Sequence, residues 1–377
     1  MKILYCIAGL FNSAGMERII TEKANYLAEH GHSVIIVTAE QRGRKPYFSL
    51  NSNIKHIDLG INYSENTNFI RKLIYYPFKR KKHQQKLQKL LSEIRPDIAI
   101  STMGNEFLFL HKIKDGSKKV AEIHFAKGYR TMNYHNLLWR IRDKYRSWQE
   151  EKKLKKYDKF VVLTIEDSHN WVNFKNLEII PNFITSPSSP KHDKLYQRLI
   201  CVGRLSYQKG YDRLIAACSL IKEELYGWRI DIFGAGDIYN RLITDINNAG
   251  LQTIININNP TSNIEEEYLI SDALILPSRY EGLPMVLLEA MAHGIPAIAF
   301  ACPCGPRDII DNGINGLLVE DGNIELLAQN IKRFINGDID IELMNRNAIA
   351  KSLNFDKENI MGRWINLFQT ITMNSNN

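Results

Sequence analysis

The sequence predicts an α/β protein made of two doubly wound, Rossmann-like domains. Three observations carry this. The chain has 377 residues, too many for one ordinary domain and enough for two of roughly 180. It opens as strand, loop, helix, strand, and an apolar strand starts a second such half at Leu199-Ile200-Cys201-Val202. Between the halves lies a polar stretch rich in Ser and Pro, Asn182 to Lys194, that reads as a linker. The domains are therefore placed at 1–185 and 186–354, with residues 355–377 as a separate C-terminal helix.

Residues 2–8 read as a buried strand and Gly9 to Gly15 as a loop. The start could pass for a weak signal peptide, but it lacks a small-residue cleavage site. Met16 to His30 form an amphipathic helix with Ile19, Ile20, Ala24, Leu27 and Ala28 on one face. Gly31 ends it and Val34 to Val37 form the next strand. Ligands of such a unit sit beyond the carboxyl ends of the strands. The loop Ser13-Ala14-Gly15-Met16-Glu17-Arg18 is no dinucleotide fingerprint, since Gly-x-Gly-x-x-Gly is absent. It serves as a helix cap or as a place where Gly15 lets a ligand approach the backbone.

Strands follow at Ile98–Ser101 and Lys119–Ile123, with His124 just past the second. A lone histidine is usually structural, but a strand end is also where a catalytic one would stand. Two basic, aromatic stretches flank these strands. Arg71 to Lys89 holds Tyr75, Tyr76, Phe78 and Lys79-Arg80-Lys81-Lys82; Tyr134 to Lys156 holds Trp139, Arg140, Arg142, Tyr145, Arg146 and Trp148. Both suit helices whose aromatics either enter the core or, beside the cations, meet an anionic membrane. Phe160–Leu163 and Glu178–Pro181 complete the first half.

In the second half, Gly203-Arg204-Leu205-Ser206-Tyr207-Gln208-Lys209-Gly210 follows the opening strand. It is either a turn with surface charges or a clamp in which Arg204, a planar fork, and Lys209, a point charge, meet a diphosphate. Ile230 to Phe233 lead into Gly234-Ala235-Gly236, and Ile254 to Ile257 into Asn258. The strand Ala273–Pro277 then runs into Ser278-Arg279-Tyr280-Glu281-Gly282-Leu283-Pro284-Met285-Val286, and Pro284 fits the first turn of a helix because it lacks an N–H. Unpaired N–H groups and the helix dipole there favour a phosphate. Glu281 and Glu289 stand eight residues apart; carboxylates accept pairs of hydroxyls, so a sugar or ribose suits them better than a bare anion. Asn312 to Val319 is a turn before a buried strand, and Asp356 to Met373 is a helix whose wide apolar face needs a partner. The last residues, Asn374 to Asn377, fray.

Composition is that of a soluble globular protein, with 44% apolar and 24% charged residues and no run long enough to span a bilayer. Five cysteines at 6, 201, 218, 302 and 304 form no secretory framework and point to reduced thiols in a cytosol. No histidine cluster or second pair joins Cys302 and Cys304, so no metal site is expected. The net charge of +8 hides an asymmetry: residues 1–185 carry +14 and the remainder −6. The basic half therefore faces a polyanion, a membrane surface or a nucleic acid.

Taken in order, these motifs resemble the retaining family 4 glycosyltransferases. The decisive stretch is Glu281-x7-Glu289, preceded by Pro277-Ser278-Arg279-Tyr280 and followed by Ala290-Met291-Ala292-x-Gly294-x-Pro296-Ala297-Ile298. Cys304 to Ile310 also match, and the likeness is strongest over 199–320, closest in kind to exopolysaccharide, capsule and O-antigen enzymes of the amylovoran type. The resemblance implies the GT-B fold and metal-independent transfer, without a cofactor, of a hexose-type sugar from a nucleotide sugar. On family frequency the nucleotide is UDP. The acceptor would be a glycan or polyprenyl-linked glycan, the mechanism retaining, and the location cytoplasmic at the inner membrane face, with no nucleic acid involved. It further implies that His124 and Glu281 contact the transferred sugar, that Gly203, Arg204 and Lys209 clamp the diphosphate, and that Gly15, Gly282, Leu283, Pro284, Met285 and Val286 bind the donor. Gly234 and Gly236 would wall the nucleotide pocket, and Glu289 would hold the ribose. Near Asn258 the family usually has glycine, which leaves the base open. A nucleotide-sugar epimerase-like protein and a nucleic-acid-binding protein are the alternatives.

Overall fold

The computed structural model describes residues 1–65, 69–128, 137–185 and 195–373, without the side chains of residues 69, 70, 72, 73 and 137–140. Its first half contains β1 (Lys2–Ile7), α1 (Gly15–Glu29), β2 (Ser33–Thr38), β3 (Lys55–Asp58), α2 (Phe69–Ile94), β4 (Ile98–Ser101), β5 (Lys118–Glu122), α3 (Leu137–Leu154), β6 (Lys159–Val162), α4 (Ile165–Ser168) and β7 (Leu177–Ile179). The strands form one parallel sheet in the order β3-β2-β1-β4-β5-β6-β7. The second half runs β8 (Arg198–Val202), α5 (Tyr211–Leu220), β9 (Arg229–Phe233), α6 (Tyr239–Asn248), β10 (Ile255–Asn258), α7 (Ile264–Leu269), β11 (Ala273–Leu276) and α8 (Met285–Ala292). It ends with β12 (Ala297–Phe300), α9 (Pro306–Ile309), β13 (Gly316–Val319), α10 (Ile324–Ile335) and α11 (Ile341–Ser352). Its parallel sheet has the order β10-β9-β8-β11-β12-β13. Both sheets are doubly wound, as the paired openings predicted.

Central strands are covered on both faces, so they read as unbroken apolar runs, and these were found from sequence. The edge strand β3 was not. Its residues, Lys-His-Ile-Asp, are exposed or half-buried throughout, so no apolar signal marks it. On α1 the expected face is buried at Ile19, Ile20, Ala24 and Leu27, while Ala28 is only partly covered.

The C-terminal helix α12 (Lys357–Met373) leaves the second domain and returns to the first. Ile360, Met361, Trp364, Leu367, Phe368 and Ile371 join the core beneath β1, with Ile3, Tyr5, Ile20 and Ala24. The chain leaves and re-enters the first domain at one place, where Ile184 N–H donates to the carbonyl of Phe355 at 2.9 Å. Trp364 has no exposed surface, so Trp364→Ala should destabilise the first domain by about 3–5 kcal/mol. Urea unfolding followed by circular dichroism measures this, and a loss below about 1 kcal/mol would show that α12 is not part of that core.

Both basic stretches are helical, α2 and α3, and the described aromatics face solvent rather than the core. Exposure is 50% at Tyr75, 69% at Phe78, 60% at Tyr145 and 50% at Trp148. The side chains of Trp139 and Arg140, Tyr134, the linker from 186 to 194, and 374–377 lie outside the described residues.

Candidate active site

In the second sheet the strand order reverses between β8 and β11, the switch point at which doubly wound sheets hold ligands. The loops leaving these two strands carry Gly203 to Gly210 and Pro277 to Pro284. Opposite them stands the loop after β5. Together they enclose a cavity of about 390 Å³ lined by His124, Phe125, Ala126, Gln208, Tyr280, Glu281, Gly282 and Leu283.

Glu281 is fixed from several sides. Its Oε1 accepts from Lys209 Nζ at 2.7 Å and from Ser278 Oγ at 2.6 Å. Its own N–H donates to the Pro303 carbonyl at 2.7 Å, and its carbonyl accepts from Cys304 N–H at 3.2 Å. A carboxylate held this way keeps one oxygen for a further hydrogen-bond donor. Lys209 reaches it because Gly203 has no side chain: a Cβ there would stand 3.0 Å from Lys209 Cε. Gly210 takes φ +65° with the Pro277 carbonyl oxygen only 2.1 Å from where a Cβ would be, so no other residue fits. Arg204 is exposed and forms no ion pair among the described residues.

Gly234 and Gly236 have a packing reason of their own. A Cβ at either would lie 2.0 Å from the Gly203 carbonyl oxygen and 2.1 Å from that of Leu205, respectively. The loop after β9 is thereby pressed against the clamp loop. Asn258 ends β10, and its carbonyl already accepts from Gly234 N–H at 3.0 Å.

Helix α8 starts at Met285 with Pro284 as its cap, one position earlier than the sequence suggested. The physical reason is the same at either position, since neither needs an N–H. The N–H groups of Gly282, Leu283, Met285 and Val286 have no protein acceptor among the described residues. With Lys209 they form a place where developing negative charge is stabilised. Gly282 touches the other domain: a Cβ on it would sit 2.5 Å from the His124 carbonyl oxygen. Gly15 is different, because a Cβ there would meet no atom within 4 Å.

Comparison with known proteins divides the chain at the same place as its sheets. Residues 13–186 match the family model for Glycosyltransferase Family 4, and residues 182–351 match that for Glycosyl transferases group 1. The chain is a family 4 glycosyltransferase of GT-B fold. An uncharacterized glycosyltransferase of Haemophilus influenzae is 27% identical over 96% of this chain and 98% of its own. The amylovoran biosynthesis glycosyltransferase AmsD of Erwinia amylovora is 26% identical with the same coverage. Among solved structures, TarM of S. aureus, crystallised in complex with UDP, superposes with a TM-score of 0.79 at 17% identity, over 97% of this chain and 99% of its own.

Several residues of this glycosyltransferase site were not found from sequence. Arg18 on α1 crosses the cleft to Glu289, whose Oε1 accepts from Arg18 Nη1 at 2.9 Å while Oε2 accepts from Tyr268 hydroxyl at 3.0 Å. Burial works against the Arg18 cation, yet Glu289 and Glu22 outweigh it and raise its pKa. The only sequence cue was a cation in the first turn after Gly15. Further along the cleft, Asp308 caps α4: its carboxylate accepts from the N–H groups of Ile165 at 2.7 Å and Glu166 at 3.2 Å. Arg307 pairs with Glu166 at 2.7 Å. Burial raises the Glu166 pKa, and Arg307 opposes this only in part. The matched Cys304-to-Ile310 motif is thus an interdomain contact, which no spacing rule could have shown. All five cysteines are buried and free. No group of three His, Cys, Asp or Glu side chains arranged to hold a metal occurs among the described residues.

Proposed function

We propose that this glycosyltransferase moves a hexose-type sugar from a UDP-sugar to a glycan or polyprenyl-linked glycan in bacterial surface polysaccharide synthesis, with retention at the anomeric carbon and without a metal ion. The observation that carries it is the Glu281–Lys209 pair set beneath the free N–H groups at the start of α8. A diphosphate leaving group needs its growing charge neutralised. Lys209, Arg204 and the helix end do this with fixed charges and dipoles. Glu281 and His124 then face the sugar, and Glu289 exchanges its Arg18 contact for ribose hydroxyls. The acceptor hydroxyl attacks from the leaving-group face, with no protein nucleophile. Supporting the substrate class, AmsD is named for amylovoran biosynthesis, the TarM crystal contains UDP, and a 28% identical Salmonella typhimurium relative is a lipopolysaccharide 1,6-galactosyltransferase. Incubation with UDP-glucose, UDP-galactose and UDP-N-acetylglucosamine plus a lipid-linked glycan, with the product anomer read by NMR, tests this. An inverted anomer, or turnover that stops in EDTA, would refute it.

The basic domain is the membrane-facing one in this reading. Lys153 on α3 has a pKa lowered first by burial and then by the Arg80 cation of α2, so like charges of the two basic helices act on one another. Phe78, Tyr145 and Trp148 stand exposed among their cations. No described helix is long and apolar enough to cross a membrane; the contact proposed is a peripheral one. Vesicles containing phosphatidylglycerol should sediment the protein, and the pair Phe78→Ser with Trp148→Ser should release it by about tenfold or more, each buried aromatic contributing over 1 kcal/mol. Equal binding to pure phosphatidylcholine would refute an electrostatic contact.

A further inference from the structure

The turn Leu110–Lys112 gathers cations from three places in the chain. On one side Phe109, next to that turn, meets His83 of α2 edge to face, with ring centres 5.1 Å apart. On the other, the His111 ring lies 5.8 Å from that of Tyr157, just past the end of α3. The Tyr157 hydroxyl donates to the Phe107 carbonyl at 2.9 Å, and Leu87, Phe109, Leu110, Leu154 and Tyr157 share one core. This packing fixes where the charges above it stand. Arg80 comes one turn before His83 on α2, Lys153 one turn before Tyr157, Lys156 directly before Tyr157, and Lys112 directly after His111.

These charges act on one another. Burial lowers the Lys153 ammonium first; Arg80, Lys112 and Arg146 add to this, and Glu150 opposes it. Burial takes His111 down to about 4, with Lys112, Lys156 and Lys153 acting in the same direction. Nearby cations are matched: Lys79 with Glu65 at 3.3 Å, Lys127 with Glu151 at 2.9 Å and Arg146 with Glu150 at 3.4 Å. The side chains of Arg80, Lys112, Lys153 and Lys156 form no hydrogen bond or ion pair among the described residues. Like charges held together without a counter-ion cost stability, so folding alone does not explain the arrangement.

We infer that Arg80, Lys112, Lys153 and Lys156 bind the phosphate groups of a membrane lipid, namely the diphosphate head of a polyprenyl-linked acceptor. The inference rests on the acceptor reading above. One guanidinium fork and three ammonium groups match the oxygens of a diphosphate. The hydrocarbon has a place beside them: exposed Phe78 lies two residues from Arg80 on α2, and exposed Trp148 carries Lys152 over its ring at 3.5 Å. The glycan has a direction too. Ser147 and Glu151 of α3 line a small hollow with Phe125 and Ala126, and those last two also line the active-site cavity. Less than two turns of α3 separate Ser147 from Lys153. The head group is thus held close to the cavity that the sugar chain must enter.

Sedimentation with phosphatidylcholine vesicles tests this, one set carrying a polyprenyl diphosphate and another phosphatidylglycerol at equal charge. The wild type should prefer the diphosphate vesicles by about tenfold or more. Lys112→Gln with Lys153→Met removes two charges, the methionine keeping the apolar stem of the half-buried lysine. This variant should lose the preference yet still bind phosphatidylglycerol vesicles through α2 and α3. Excess inorganic pyrophosphate should bring the wild type down to the same level, since it occupies the same cations. Without ligand the variant should melt at or above the wild type, because repulsion is relieved. No preference in the wild type, an undiminished preference in the variant, or no competition by pyrophosphate would overturn the inference. A melting temperature well below the wild type would do so as well, by making these cations structural. Single-stranded DNA that competes as well as pyrophosphate at equal phosphate would also overturn it, marking a general polyanion surface. None of these readouts needs sugar transfer. Diphosphate binding by a protein that transfers nothing to a lipid-linked glycan would leave the site standing and remove the acceptor reading. Transfer to such a glycan without any preference for its diphosphate would do the opposite.

Discussion

Lys209→Ala and Arg204→Ala each abolish the rise in melting temperature that UDP gives the wild type. A ligand that binds only the folded state stabilises it by mass action, so lost binding appears as a lost shift. The two variants should differ without ligand. Lys209 is the cation in contact with buried Glu281, so its removal leaves that carboxylate with Ser278 alone and facing a diphosphate of like charge. Unliganded Lys209→Ala should therefore melt below the wild type. Arg204 is exposed and unpaired among the described residues, so its variant should melt with the wild type. Turnover should fall roughly 10²–10³-fold in Lys209→Ala, the usual cost of losing one preorganised stabilising group. Adding Glu281→Gln should restore part of the UDP shift, because the repulsion is gone, but not the rate. An undiminished shift in both single variants removes the clamp from the site.

Gly282→Ala should separate the two domains. The new methyl group would lie 2.5 Å from the carbonyl oxygen of His124 and 3.1 Å from the Phe125 Cα. These are backbone atoms, which cannot turn aside as a side chain can. The clash lies between domains rather than within one, so each core survives and the cleft opens instead. Small-angle scattering should report a larger radius of gyration, circular dichroism an unchanged fold, and turnover a loss of at least about tenfold, because His124 no longer meets the donor loop. Gly15→Ala is the control for stability, since no atom lies within 4 Å of its Cβ; any effect it has on turnover reports ligand approach rather than packing. An unchanged radius in Gly282→Ala would show that the clash is relieved without opening the cleft.

Much of the site was legible because each motif is local. A strand end, a turn that requires glycine and a helix start occupy consecutive residues, so the Gly203-to-Gly210 and Pro277-to-Glu289 stretches announce themselves. Gly210 illustrates this: its left-handed φ and its contact with Pro277 leave one residue type. The edge strand β3 escaped notice because polar residues at a sheet margin have no period. The outward-facing aromatics of α2 and α3 could not be assigned because a helix spacing does not say which face has a neighbour.

The sequence by itself determined two doubly wound domains, the order of the motifs and the apolar face of α12, since backbone preference and burial act over a few residues. Only the tertiary structure decided that Arg18 meets Glu289, that Asp308 caps α4, and that Lys23 lies buried against Glu122 behind His124. Those contacts join residues from 99 to 271 positions apart, and the energy of a charge depends on what surrounds it rather than on what precedes it in the chain.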